Sequence, residues 1–366
     1  MWTSKSGVWD RGSGVGAWVL CGLLVLGCLL VFPVPGPWSP TPASAAAGLY
    51  QVLEIKPDVF VWLPDDVLDQ EGDPDFARAG TAGFIITPGG VVVVDTTNSP
   101  FHARELLYEI RRHTDQPVKY VIDTDPEGDH TLGNEVFVDQ QASIVATPGT
   151  QAGLRQYQLE LPRRLQGDWR VQARMRGFHP TLPDQTFEGE MALRFERHGQ
   201  NHPAGNEAGA PEIKLVSLKT GPATTQAAVR LPAARIAFLG DLFENGYFPH
   251  VGSRQQPKDI RRWIETLREV EAWEVDVYVP GHGPPAGKKE LSEFRKFLEW
   301  LTSEVERRVK QGKSLEQTQE DLSPSLDNYQ WHAPELRKEA VEAVYGQLAG
   351  ARPATAASPQ PLPPAH

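Results

Sequence analysis

The residues able to do chemistry in this chain gather where apolar runs stop. Val118–Ile122 breaks into "DTDPEGDH", which carries Asp125, Glu127, Asp129 and His130. Three later points follow the same rule: Thr224 in "GPATT", Asp241 in "FLGDL" and His282 in "VPGHG". Carboxylate and imidazole donors side by side suit a metal ion, and ligands in α/β sheets collect beyond the carboxyl ends of strands. The four points can therefore converge on one site. On residue types alone, a solvated acidic turn and a structural histidine between Gly and Pro explain the same letters. Both cysteines, Cys21 and Cys28, fall within the first 45 residues. Any metal held further on must use nitrogen and oxygen donors.

The elements that must position these residues read as follows. Lys5 and Arg11 precede an apolar run, Gly16 to Phe32, and then a Pro- and Ala-rich stretch with Ala43-Ser44-Ala45. That order predicts a signal peptide or N-terminal membrane anchor over 1–45. The protein is then exported, periplasmic or extracellular, and membrane-attached if the segment is retained. A net charge of −11 over 366 residues argues against a nucleic-acid partner and leaves a small-molecule substrate as the expected one.

From Tyr50 short strands alternate with a stretch of helical spacing over 99–114, with Ser99 as its N-cap and Pro100 at its first position. Pro88-Gly89-Gly90 predicts a tight turn between strands. A second set of strands ends near His282, and 286–348 reads as amphipathic helices. The tail 349–366 is Pro- and Ala-rich and predicts disorder. Strand and helix alternation of this kind predicts an α/β layer fold.

The order "DPEGDHTLGN", "GPATT", "FLGDL", "VPGHG" resembles the metallo-β-lactamase superfamily. The resemblance covers about 50–285 and implies an αββα sandwich with a metal site at the strand ends, here followed by a C-terminal helical extension. Thr124, Gly128, Asp129, His130, Gly133 and Asn134 fit the family's first signature, and Asp95 fits its early structural aspartate. The resemblance implies one metal position built from Asp129, His130, Asp241 and His282. The other position is held in the family by three histidines, which Asp125, Glu127 and Thr224 replace here.

One half of the site is thus kept and the other rewritten. The kept half implies a single Zn2+ with an open coordination position, which makes a hydroxide nucleophile available at neutral pH. Carboxylate and hydroxyl donors at the altered half suit harder ions such as Mg, Ca or Mn. Asp129 belongs to both the metal set and the catalytic set, and Asp125 or Glu127 stands near enough to act as general base. The expected function is a metal-dependent hydrolase of an ester, lactone, amide or related acyl bond. Loss of three histidines equally fits an inactive binding protein with at most one structural metal. A glutamate at the Glu127 position also occurs in the iron-dependent redox branch, whose flavodoxin-like loop this chain lacks. Among the remaining histidines, His102 and His113 are expected to face solvent, His198 and His202 to flank a loop, and His250 to line the pocket with Asn245 and Tyr247. Trp263, Trp273, Trp300 and Trp331 are expected in the core.

Overall fold

The computed structural model describes residues 50–64, 78–165, 169–176, 178–193, 212–222, 224–251 and 258–350. The expected N-terminal segment 1–45, the tail beyond 350, and His198 and His202 lie outside the described residues. Among the described residues no helix is long and apolar enough to cross a membrane.

The first sheet begins with three antiparallel pairings: β1 (Tyr50–Lys56), β2 (Val59–Pro64), β3 (Ala82–Thr87) and β4 (Gly90–Val94). The expected Pro88-Gly89 turn joins the last two. It continues in parallel through β5 (Val118–Ile122), β6 (Ser143–Ala146) and the short β7 (Gln185–Thr186). The four consecutive valines of β4 look unpatterned because both faces are covered. Val92 and Val94 point between the sheets, while Val91 and Val93 point to the helical layer outside.

The second sheet runs in the order β12 (Val277–His282), β11 (Ile236–Glu244), β10 (Thr225–Leu231), β9 (Lys214–Lys219) and β8 (Glu190–Ala192). Ile213, Leu215, Val229, Phe238, Val277 and Val279 face Val59, Val61, Ile85, Ile122 and Val145 across the sandwich. Burial of this double apolar face, at about 25 cal/mol per Å², is what drives the sheets together.

Helices close both outer faces. On the first sheet lies α1 (Pro100–His113), started by Ser99, whose hydroxyl accepts from the His102 amide at 3.3 Å. His102 is buried, which corrects the solvent-facing expectation. It shares the inward stripe of Ala103, Leu106 and Ile110, and its Nδ1 lies 2.7 Å from Asn98 Oδ1. His113 stays exposed, with its ring 4.3 Å from that of Phe60.

After β5 come two short helices, α2 (Gly128–Thr131) and α3 (Asn134–Val138), and then α4 (Pro148–Arg164) and α5 (Trp169–Arg174). The second sheet is covered by α6 (Ile260–Glu271), α7 (Lys288–Lys310), α8 (Leu315–Leu326) and α9 (Leu336–Leu348). Trp263, Phe294, Leu298, Leu322 and Val344 form one cluster with Ala237, Leu239 and Tyr278 of that sheet. Trp273, Trp300 and Trp331 pack half-buried at its margin. The layers are therefore helix, sheet, sheet and helix, with the C-terminal helices extending the last.

Candidate metal centre

His130 is the centre of the site and is fully buried. The chain leaves β5 and turns through Asp125, whose Oδ1 accepts from the Glu127 amide at 3.0 Å in an Asx turn. One turn of α2 then carries Asp129 and His130 inward. Gly80 packs against the imidazole so closely that a Cβ there would stand 2.4 Å from its Cε1. The Gly80 amide also donates to the Asp129 carbonyl at 2.9 Å.

Asp95 sets the ring. Its carboxylate accepts from the Thr124 amide at 2.8 Å and the Thr124 hydroxyl at 2.7 Å, and its Oδ2 lies 3.1 Å from His130 Nδ1. With Nδ1 turned to Asp95, Nε2 is the ring atom that faces the carboxylates beyond. Asp241 Oδ1 is 3.3 Å from Nε2, Asp129 Oδ2 3.8 Å and Asp125 Oδ2 3.9 Å. His282 joins from the end of β12, its Nε2 3.0 Å from Asp129 Oδ2 and 3.6 Å from Asp241 Oδ1.

Asp241 does not follow its strand, as the sequence suggested, but lies inside β11 at a break in register with β12. Gly240 makes the break: its φ of +53° is a left-handed conformation, and a Cβ would meet the Thr124 hydroxyl at 2.2 Å.

His130 Nε2 and Asp241 Oδ1 are buried and make no hydrogen bond, despite their proximity. Burial resists charge on His130, yet Asp125, Asp129, Asp241 and Asp95 together hold its pKa well above that of a free imidazole. Burial likewise opposes ionisation of Asp241, but His130 and His282 keep it well below the usual carboxylate range. The cluster calls for positive charge. Asp129, His130 and His282 bring ligand atoms within 4.8 Å of one another, and so do Asp125, His130 and Asp241. Two imidazoles with carboxylates fit a zinc-class divalent ion.

The three residues of the altered position separate in space. Asp125 joins the His130 cluster. Glu127 belongs to neither donor group; its Oε2 faces His250 Nδ1 at 3.7 Å, and its buried Oε1 makes no hydrogen bond. Thr224 is buried just before β10, and its carbonyl accepts from the Thr220 amide at 3.0 Å.

A cavity of about 40 Å³ opens onto Asp129, Asp241 and His282, with Tyr247 and His250 on its wall as expected. Asn245 instead braces the His282 turn, its amide donating to the His282 carbonyl at 2.8 Å. Sequence reasoning missed Arg78, Glu244 and Glu335, which also line the cavity, and Lys258 behind it. Burial and the Asp241 charge raise Glu244 to about 7. A lysine directly before the N-cap Asp259 of α6 opposes the helix dipole, and that misplacement was the available signal for Lys258.

The Asp95 contact carries a direct expectation. Asp95→Asn keeps the size and one acceptor but offers an N–H to His130 Nδ1, so metal affinity should fall about 10–100-fold. Competition with a chromogenic chelator measures this, with circular dichroism confirming the fold.

The fold and the candidate ligand groups point to one class of protein. The model of the metallo-beta-lactamase superfamily matches residues 75–282, and the chain belongs to that superfamily. The chain is similar to a linear primary-alkylsulfatase of Pseudomonas sp. (strain ATCC 19151), 22% identical over 319 residues, 77% of this chain and 58% of the relative. It thus spans little more than half the length of that relative. Among solved structures it is similar to the stereoselective inverting sec-alkylsulfatase of Pseudomonas sp., at a TM-score of 0.56 and 17% identity, over 85% of this chain and 52% of the other.

Proposed function

We propose that this protein is a hydrolase that holds one divalent metal, zinc by donor chemistry, in the pocket of Asp129, His130, Asp241 and His282, and acts on an ester-type bond of a small molecule. The observation that carries the reading is His130 Nε2: buried, oriented by Asp95, and faced by three carboxylates within 3.9 Å without a hydrogen bond. When bound there, the ion would supply Lewis-acid chemistry toward water and a substrate oxygen.

The chain's own residues do the rest. Asp95 and Gly80 fix the imidazole, and the Asx turn at Asp125 fixes the approach of Glu127. Glu127 Oε1 is the acceptor left for a proton removed from the attacking water. Arg78 lies over the Tyr247 ring at 5.5 Å and pairs with Glu335 at 3.4 Å, so it can turn to an anionic substrate group at the cavity mouth. A sulfate ester therefore joins carboxylic esters and lactones as a candidate, supported by the similarity to an alkylsulfatase. The charged, apolar and small-residue order of the first 45 residues supports export.

Metal content of the purified protein, followed by a panel of chromogenic esters, lactones, nitrocefin and alkyl sulfates with and without chelator, tests the reading. One zinc per chain and chelator-sensitive turnover of at least one substrate are expected. A folded protein that takes up no transition metal would instead be a binding module.

A further inference from the structure

Arg78 and Glu335 meet at the cavity from segments 257 positions apart, with Nη2 and Oε1 at 3.4 Å. Each is held in place by the backbone beside it. The Gly80 amide donates to the Asp129 carbonyl at 2.9 Å and the Thr81 amide to that of Gly281 at 2.7 Å. Arg78 is thereby tied to the turns that carry Asp129 and His282. On the C-terminal side, the His332 amide donates to the Gly246 carbonyl at 2.8 Å and the Phe248 amide to that of His332 at 3.1 Å. The His332 and Tyr247 rings stack at 4.8 Å over this junction. The helical extension is thus fixed to the wall of the site, and its Glu335 and Leu336 join the cavity lining.

The two partners are held unequally. The Arg78 side chain is 22% exposed, with its guanidinium over the Tyr247 ring, whereas that of Glu335 is 56% exposed. Glu335 stands at the N-cap of α9, yet its carboxylate caps no amide there. It meets Arg78 through one contact rather than the two-point fork that a guanidinium offers an oxyanion. A pair this exposed adds little to stability, and a displaced carboxylate finds water and the positive end of α9. The cavity is meanwhile poor in positive charge. Asp129, Asp241, Glu244 and Glu335 line it, and among its described lining residues Arg78 is the one lysine or arginine.

We infer that Glu335 is a specificity-determining residue: it occupies Arg78 as a resident anion, which an anionic oxygen group of the substrate displaces in order to bind. The inference rests on the proposed small-molecule hydrolase and narrows its substrates to esters that carry a negative charge. A neutral ester offers Arg78 no charge in exchange for Glu335. The helical extension therefore takes part in selecting what enters the site.

The test reads binding rather than turnover. Hexanesulfonate and hexanoate, with hexanamide as the neutral counterpart, are titrated by calorimetry into wild type, Glu335→Gln, Arg78→Gln and the double variant. Wild type should bind at least one of the anions more tightly than it binds hexanamide. Glu335→Gln should bind that anion about two- to fivefold more tightly, the range for removal of an exposed competing ion pair. Arg78→Gln should bind it at least about tenfold more weakly, and in that background Glu335→Gln should change nothing. Hexanamide should bind all four proteins alike. The two anions separate a sulfate-like group from a carboxylate as the charge that is recognised. No preference for either anion in wild type, weaker anion binding by Glu335→Gln, or an equal gain for hexanamide overturns the inference. A gain that persists without Arg78 overturns it as well, because it reports general charge and not exchange. The expected pattern with no hydrolysis of any substrate would remove the proposed function and leave the role of Glu335 standing. Hydrolysis of neutral esters with no anion preference would do the reverse.

Discussion

His130→Ala should yield a protein that no longer retains metal through gel filtration and has no measurable turnover. Among the described residues, each group of donors close enough to hold an ion includes His130. Removing the ring also leaves Asp95, Asp125, Asp129 and Asp241 facing an uncompensated pocket. Loss of one partner from a buried ionic cluster costs about 3–5 kcal/mol. At about 2–4 °C per kcal/mol, the thermal midpoint should fall on the order of 10 °C. Zn2+ should raise the midpoint of wild type by mass action and leave that of the variant unchanged. His179→Ala is the control, since that ring is 85% exposed and lies outside both donor groups. Metal retained by folded His130→Ala at wild-type affinity would remove this residue from the centre of the site.

Much of this candidate site was legible because ligand-binding residues in a layered α/β fold collect at or near strand ends. Asp129 and His130 follow β5 across a short turn, and His282 is the last residue of β12. An apolar run followed by Asp or His is therefore a readable signal. Asp241 was legible as a residue but not in its setting, because the break at Gly240 depends on how β11 pairs with β12 rather than on local composition. The sandwich itself could be read from two blocks of strands separated by helices.

Residues whose role depends on the far side of the fold gave a weaker signal or none. Lys258 bonds to carbonyls 17 and 8 positions away, and Glu335 reaches the cavity from the start of α9. Both sit just before the first turn of a helix, where apolar periodicity has not begun and says nothing of what the side chain meets. His102 shows the converse. Its polar type suggested exposure, but its position on the stripe with Leu106 and Ile110 decided its burial. The buried acceptor Asn98, one turn earlier, makes that burial tolerable.

The separation of Asp125 from Glu127 bears on the chemistry. Two residues apart in sequence, they were read together as an altered metal position, yet one faces His130 and the other faces His250. If Glu127 is the proton acceptor of the reaction, Glu127→Gln should lower kcat about 10²–10⁴-fold, the range for loss of a positioned general base. The same variant should keep its zinc, because Glu127 belongs to neither donor group. It should also keep its fold, since the amide side chain is of nearly equal size and can still contact His250. Those readouts separate the alternatives. Loss of both metal and turnover would make Glu127 a ligand, whereas full turnover with zinc retained would remove it from catalysis and leave Asp125 as the base. Asp125→Asn is predicted to differ, because Asp125 Oδ2 lies in the His130 cluster and accepts from the Thr124 hydroxyl. Its replacement should weaken metal retention and turnover together, so the ratio of metal loss to rate loss distinguishes a ligand-side carboxylate from a base.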